Sequence, residues 1–188
     1  MDWLSIIILS VGLAMDALAV SVCSSIALKE IRIKDAMKIA FFFGLFQAGM
    51  PLIGWLAGMS FRGFIRDLDH WIAFGLLLAI GGKMIYESSQ SGCETSKSNP
   101  LKMRVLLGLS VATSIDALAA GVGFGVLQLN IWAVITVIGA ITFILSFNGA
   151  RLGNSLGCRF GRRAELLGGL ILIGIGIKIV VEHIANGI

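Results

Sequence analysis

Two aspartates stand in the same local sequence. Met15-Asp16-Ala17-Leu18-Ala19 and Ile115-Asp116-Ala117-Leu118-Ala119 share the core Asp-Ala-Leu-Ala, one hundred positions apart, and each core sits at the centre of a long apolar stretch. A carboxylate at mid-bilayer costs roughly 2.5–3.5 kcal/mol even on the lower scales, so two of them call for a compensating role. A shared cation site or a proton relay would supply one. Interhelical polar glue is the blander reading, and the duplication at matched positions favours a site over glue.

Other residues could serve the same chemistry. Small residues flank both aspartates: Gly12, Ala14, Ala17 and Ala19 around the first, Ser110, Thr113, Ser114, Ala117, Ala120 and Gly121 around the second. They allow close helix approach and expose hydroxyl and carbonyl oxygens. Gln47 precedes Met50-Pro51, and Pro51 frees a backbone carbonyl one turn earlier. At roughly equivalent places further along stand Ser146 and Asn148, followed by Arg151. Two carboxylates with amide and hydroxyl oxygens suit a hard divalent cation. Metal candidates are therefore Asp16, Asp116, Gln47, Asn148, Ser146 and Thr113. Lys83 and Lys178 lie more than two turns inside their apolar segments, with Glu87 and Glu182 at i+4, the spacing of a helical ion pair. Alternatively a lysine neutralises an aspartate while the site is empty and is displaced when a cation arrives. His70 and His183 have no partner at ligand spacing. Cys23, Cys93 and Cys158 are scattered and odd in number, so no disulfide framework or zinc site is expected.

These residues must be positioned inside a membrane. The chain is 57% apolar and 14% charged with a mean hydropathy of +0.93, far from the usual soluble composition. Six apolar segments can be marked, at about 3–28, 36–60, 70–88, 103–128, 131–155 and 164–184, each long enough to span roughly 30 Å of hydrocarbon. The N-terminal segment lacks a basic n-region and is expected to be a retained helix. A polar stretch, Ser89 to Pro100, reads as a flexible linker. No phosphate-binding loop is present, and the net charge of +4 comes from basic clusters between apolar segments, which indicate topology and not nucleic-acid binding.

The linker separates two similar halves. The first segment matches the fourth through Asp-Ala-Leu-Ala, and the second matches the fifth through Gly54/Gly58 against Gly153/Gly157. The third matches the sixth through Ile80-Gly81-Gly82-Lys83 against Ile175-Gly176-Ile177-Lys178. An odd number of spans per half inserts the halves in opposite directions. The expected fold is thus an all-α membrane protein of six transmembrane helices, built as two inverted-topology three-helix repeats: 1–88, a cytoplasmic linker 89–102, and 103–188. Lys29, Arg32, Lys34, Lys38, Lys97, Lys102, Arg104, Arg159, Arg162 and Arg163 fall on one side, against Arg62 and Arg66 on the other. The positive-inside rule places the linker in the cytoplasm and both termini outside.

Met15–Ala19, Gln47-Ala48-Gly49-Met50-Pro51-Leu52-Ile53-Gly54-Trp55, His70-Trp71-Ile72-Ala73-Phe74 leading to Gly81–Ile85, and Thr113–Ala117 together resemble the MntP-type manganese efflux pumps, small bacterial inner-membrane proteins of the lysine-exporter superfamily. The resemblance spans nearly the whole chain. It implies export of Mn2+ from the cytoplasm across the inner (plasma) membrane, with Mn2+ as substrate and no cofactor, and Asp16 and Asp116 matching the family's essential membrane aspartates. Some members carry an acidic residue where this chain has Gln47. Protons, as counter-ions exchanged at the carboxylate pair, and further copies of the chain are compatible partners. Export of another divalent ion or of a cationic amino acid is the alternative. An intramembrane aspartyl protease is disfavoured, because the Asp-Ala-Leu-Ala contexts lack that class's Tyr-Asp and Gly-x-Gly-Asp surroundings, so no enzyme is expected.

Overall fold

The computed structural model describes residues 3–28, 31–61, 69–90, 99–126 and 131–186. These residues are helical apart from short connections: α1 Trp3–Leu28, α2 Ile33–Phe61, α3 Asp69–Gln90, α4 Met103–Thr113, α5 Ile115–Val126, α6 Ile131–Leu156 and α7 Cys158–Asn186. The expected fourth span is broken into α4 and α5. Helix α3 runs two residues into the expected linker, and α7 begins six residues earlier than the apolar pattern. Residues 91–98 of the linker, Arg62, Arg66 and the turn 127–130 lie outside the described residues.

Among the described residues α1, α2 and α6 are each long and apolar enough to cross a membrane, and α4 with α5 are so only when taken together, as a pair bent by 40°. Helices α3 and α7 hold shorter apolar stretches, Phe74–Tyr86 and Leu166–Val181. Large apolar side chains cover the outside as well as the interior, and polar ones lie within. Ile7, Phe41, Leu45, Ile53, Ile144, Leu170 and Val181 face outward, while Ser10, Ser21, Gln47, Asp116, Thr142 and Ser146 are buried. Lipid is the solvent that makes such an arrangement stable.

The helices close into a ring. Helix α1 packs on α6, α6 on α2, α2 on α5, α5 on α3, α3 on α7, and α7 back on α1, with α3–α5 the thinnest join. Leu9, Leu13, Met84, Phe124, Ile138 and Leu172 fill the interior between them. Glycine contacts fix directions. Gly54 and Gly58 lie on the Leu118 and Val122 carbonyls, so α2 runs parallel to α5; Gly149 and Gly153 lie on Leu18 and Val22, so α1 runs parallel to α6. Gly81 beside Gly169 and Ile173, with Gly176 beside Phe74 and Leu77, makes α3 and α7 antiparallel.

Because Leu118 and Val122 stand one hundred positions after Leu18 and Val22, the two seams correspond through Gly54/Gly58 and Gly149/Gly153. This corrects the expected pairing with Gly153/Gly157 by one turn. Gly157 instead ends α6: it has φ 71° and its amide donates to the Gly153 carbonyl at 2.9 Å, the left-handed cap that glycine adopts without strain. Lys38 Nζ donates to the Leu101 carbonyl at 3.1 Å, and Gly153 meets Ser25 near the C-terminal ends of α6 and α1. The α1–α2 connection, the start of α4 and the α6–α7 turn therefore share one end of the bundle. Cys23 is disulfide-bonded, contrary to expectation.

The α2–α5 seam leaves no room for a side chain at Gly54, where a Cβ would overlap the Leu118 carbonyl oxygen. Gly54→Ala is expected to cost about 1–3 kcal/mol through overpacking. Gly49 has nothing within 4 Å, so Gly49→Ala should be neutral or stabilising, alanine being the better helix former by about 1 kcal/mol. Thermal unfolding of the purified protein separates them, and equal midpoints would contradict this packing.

Candidate cation site

The break between α4 and α5 follows from hydroxyl chemistry. The Ser110 carbonyl accepts from Ser114 Oγ at 2.7 Å and from Thr113 Oγ1 at 3.2 Å. With that acceptor taken, the Ser114 amide turns to the Val111 carbonyl at 3.1 Å, three residues back. Side chains that bond back to the preceding turn in this way bend helices. At the matched places α1 has Leu13 and Ala14, which carry no hydroxyl, and α1 continues unbroken through Asp16.

The break puts Asp116 in the first turn of α5, where backbone N–H groups lack helical acceptors and the helix dipole favours an anion. Asp116 is buried, and its Oδ1 accepts from Lys83 Nζ at 3.1 Å; the lysine side chain is 46% exposed and the aspartate's 6%. This ion pair bridges the thinnest join of the ring, α3–α5. Lys83 thus pairs with an aspartate of another helix, while the side chains of Glu87 and Glu182, the expected i+4 counterparts of Lys83 and Lys178, lie outside the described residues. Lys178 reaches Ser5 Oγ on α1 at 2.8 Å.

On the other side of the ring Asp16 is part-buried, and its Oδ1 accepts from the Ala17 amide at 2.6 Å. Leu13, one turn earlier, gives its carbonyl to Gln47 Nε2 at 2.8 Å. That bond orients the amide, leaving Gln47 Oε1 buried with no hydrogen-bond partner. Thr142 Oγ1 and Ser146 Oγ on α6 are likewise buried and unpartnered. Parallel packing of α2 on α5, with Gly121 against Pro51, sets Gln47 about one turn before Pro51 and Asp116 about one turn before Gly121. The two lie at similar depth.

The expected residues thus divide. Gln47 and Ser146 are buried on the packed helices α2 and α6, Asp16 lies one turn after the Leu13 carbonyl that holds Gln47, and Asp116 with Lys83 belongs to the α3–α5 join. Thr113 is buried at the break, with Oγ1 turned to the Leu109 carbonyl at 3.0 Å. Asn148 is not brought to them: it is exposed and donates to its own helix at Ile144, 2.8 Å away. A ligand at that position would need the inward face that Ser146 and Gly149 occupy. Among the described residues no three His, Cys, Asp or Glu side chains gather as a metal cluster, so a cation held here draws on neutral oxygens besides carboxylates. Thr142 escaped the sequence reading. Its signal was the repeat itself, because Thr142 follows Gln47 by ninety-five positions, the offset that also relates Lys83 to Lys178.

Comparison with known proteins adds the family. Residues 30–180 match the profile of the family described as "Putative manganese efflux pump". The chain is 54% identical over 182 residues to a Rippkaea orientalis protein named "Putative manganese efflux pump MntP", covering 97% of each chain. It is 51% identical to a namesake from Crocosphaera subtropica over 188 residues and 100% of each chain, and 50% identical to one from Methanosarcina barkeri over 184 residues and 98% of each. No solved structure matches. The family is one of transporters and not of enzymes. The chain belongs to the MntP family of manganese efflux pumps.

Proposed function

We propose that the chain is a secondary transporter exporting Mn2+ from the cytoplasm by alternating access, with one ion held between Asp16 and Asp116. The relatives' names supply the ion and the direction. The observation that carries the mechanism is the Lys83–Asp116 pair, a buried carboxylate met by a half-exposed lysine at the thinnest join of the ring. A lysine there keeps the carboxylate neutralised without metal, and an arriving divalent ion displaces it. Two carboxylates balance the ion's charge, while Gln47 Oε1, Ser146 and Thr142 offer uncharged oxygens of the kind hard cations accept.

The chain is read as six spans in two inverted three-helix repeats, counting α4–α5 as one. Support comes from the matched glycine seams, from the parallel course of α1 with α6 and of α2 with α5, and from a ring order that maps onto itself when the halves are exchanged. The clustering of the basic connections at one end of the bundle favours a cytoplasmic linker and outer termini. On the return step, protons on the carboxylates replace the metal, making the cycle a proton antiport.

Inside-out membrane vesicles test the proposal. Mn2+ should accumulate against its gradient, and collapse of the pH gradient should stop it. Lysine flux without a manganese effect would replace this reading with amino-acid export.

A further inference from the structure

We propose that the α1–α6 seam is the access path by which a divalent cation travels from the end of the bundle carrying the basic connections to Gln47 and Asp16, stepping along the uncharged oxygens of Ser25, Ser21, Ser146 and Thr142. The inference rests on the transport reading above and adds a route to it.

Five of these oxygens, Ser21 Oγ, Ser25 Oγ, Gln47 Oε1, Thr142 Oγ1 and Ser146 Oγ, are buried and have no hydrogen-bond partner. All five residues are fully buried. Their helix setting alone does not explain this. Elsewhere in the bundle, buried hydroxyls fold back onto the preceding turn: Ser10 onto Ile6 at 2.7 Å, Ser110 onto Leu106 at 2.8 Å and Ser114 onto Ser110 at 2.7 Å. The seam hydroxyls are held away from that economical bond. Leaving a buried hydroxyl unpaired is unfavourable, and in a lipid-enclosed bundle no bulk water relieves it.

The register aligns them. Gly149 meets Leu18 and Ser21, and Gly153 meets Val22 and Ser25. One turn back along α6 lies Ser146, level with the Asp16 turn of α1, and a further turn back lies Thr142, level with Leu13, where Gln47 is anchored. From Ser25 to Leu13 the row spans about 18 Å of helix rise. The matched α2–α5 seam is different. One hundred positions after Ser21 and Ser25 stand Gly121 and Gly125, packed on the Pro51 and Trp55 carbonyls with no side chain to offer. Hydroxyls therefore line the seam only toward the basic end, where the ion is taken up. Neutral, multi-site oxygen donors suit such a path because passage needs binding weak enough to release the ion.

The test measures initial Mn2+ transport in inside-out vesicles and equilibrium Mn2+ binding to purified protein. The Ser21→Ala/Ser25→Ala pair should lower the transport rate about fivefold or more. Binding should stay within about twofold of the parent, and thermal stability should be unchanged or higher, since each change deletes an unpaired polar group. Parental rates in the serine pair, or binding lost in step with transport, would overturn the path. Asp16→Asn reports on the underlying reading: if it transports normally, the central site is wrong, whereas its failure beside parental serine variants condemns the path alone.

Discussion

Asp16→Asn and Asp116→Asn, each present in the membrane at the parental level, are expected to abolish manganese tolerance in cells that depend on this protein. Both substitutions keep shape and remove one of the two charges that would balance a divalent ion. Loss of a charged ligand from a buried cation site exceeds about 1.4 kcal/mol and so weakens binding more than tenfold. The effect should be similar at the two positions despite their different surroundings. Asp16 lies in an unbroken helix and accepts from its neighbouring amide, while Asp116 heads a helix and is paired with Lys83. A variant that protects cells as well as the parent would remove that aspartate from the site.

The second large effect is expected at Lys83. Lys83→Met leaves Asp116 buried without its cation. Breaking a fully buried pair costs about 3–5 kcal/mol; with half the lysine side chain exposed, roughly 1–3 kcal/mol is expected here. Metal-free Lys83→Met protein should therefore unfold at a lower temperature than the parent. Mn2+ should recover more stability in the variant than in the parent, because ligand that binds only the folded state stabilises it by mass action and no lysine competes. Transport should fall about tenfold even though binding is at least as tight, since the lysine that competes with the ion for Asp116 no longer aids its release. If Lys83→Met matched the parent in metal-free stability and in turnover, Lys83 would be a bystander. Thermal unfolding with and without Mn2+, alongside vesicle transport, reads both.

Sequence made the helices and the paired aspartates visible because both depend on local pattern. An uninterrupted apolar run fixes α1 at Trp3–Leu28, where the apolar pattern placed it, and a charge inside such a run stands out. The break at Ser114 was harder to see. Thr113 and Ser114 were legible as small polar residues near Asp116, but their effect comes from both hydroxyls competing for the Ser110 carbonyl, which is a matter of rotamer. Lys83 illustrates the same limit. At i+4 from Glu87 it reads as a local pair, and only the packing of α3 against α5 brings Asp116 within 3.1 Å. Asn148 and Ser146 are two residues apart and chemically similar as ligands, yet a helix turns them about 200° from each other, so one faces the bundle and the other leaves it. The glycine seams were found a turn out of register because Gly149, Gly153 and Gly157 share one spacing; the contacts with Leu18 and Val22 choose between them.

Equilibrium Mn2+ binding to the purified protein and to Asp16→Asn, Asp116→Asn and the double variant tests the shared site most directly. Residues that act on one ion are not additive. The account predicts one ion per chain for the parent, a loss of more than tenfold in affinity for each single variant, and little further loss when they are combined. Two ions per chain in the parent, falling to one in each single variant with the remaining site at parental affinity, would place the aspartates in separate sites and contradict it.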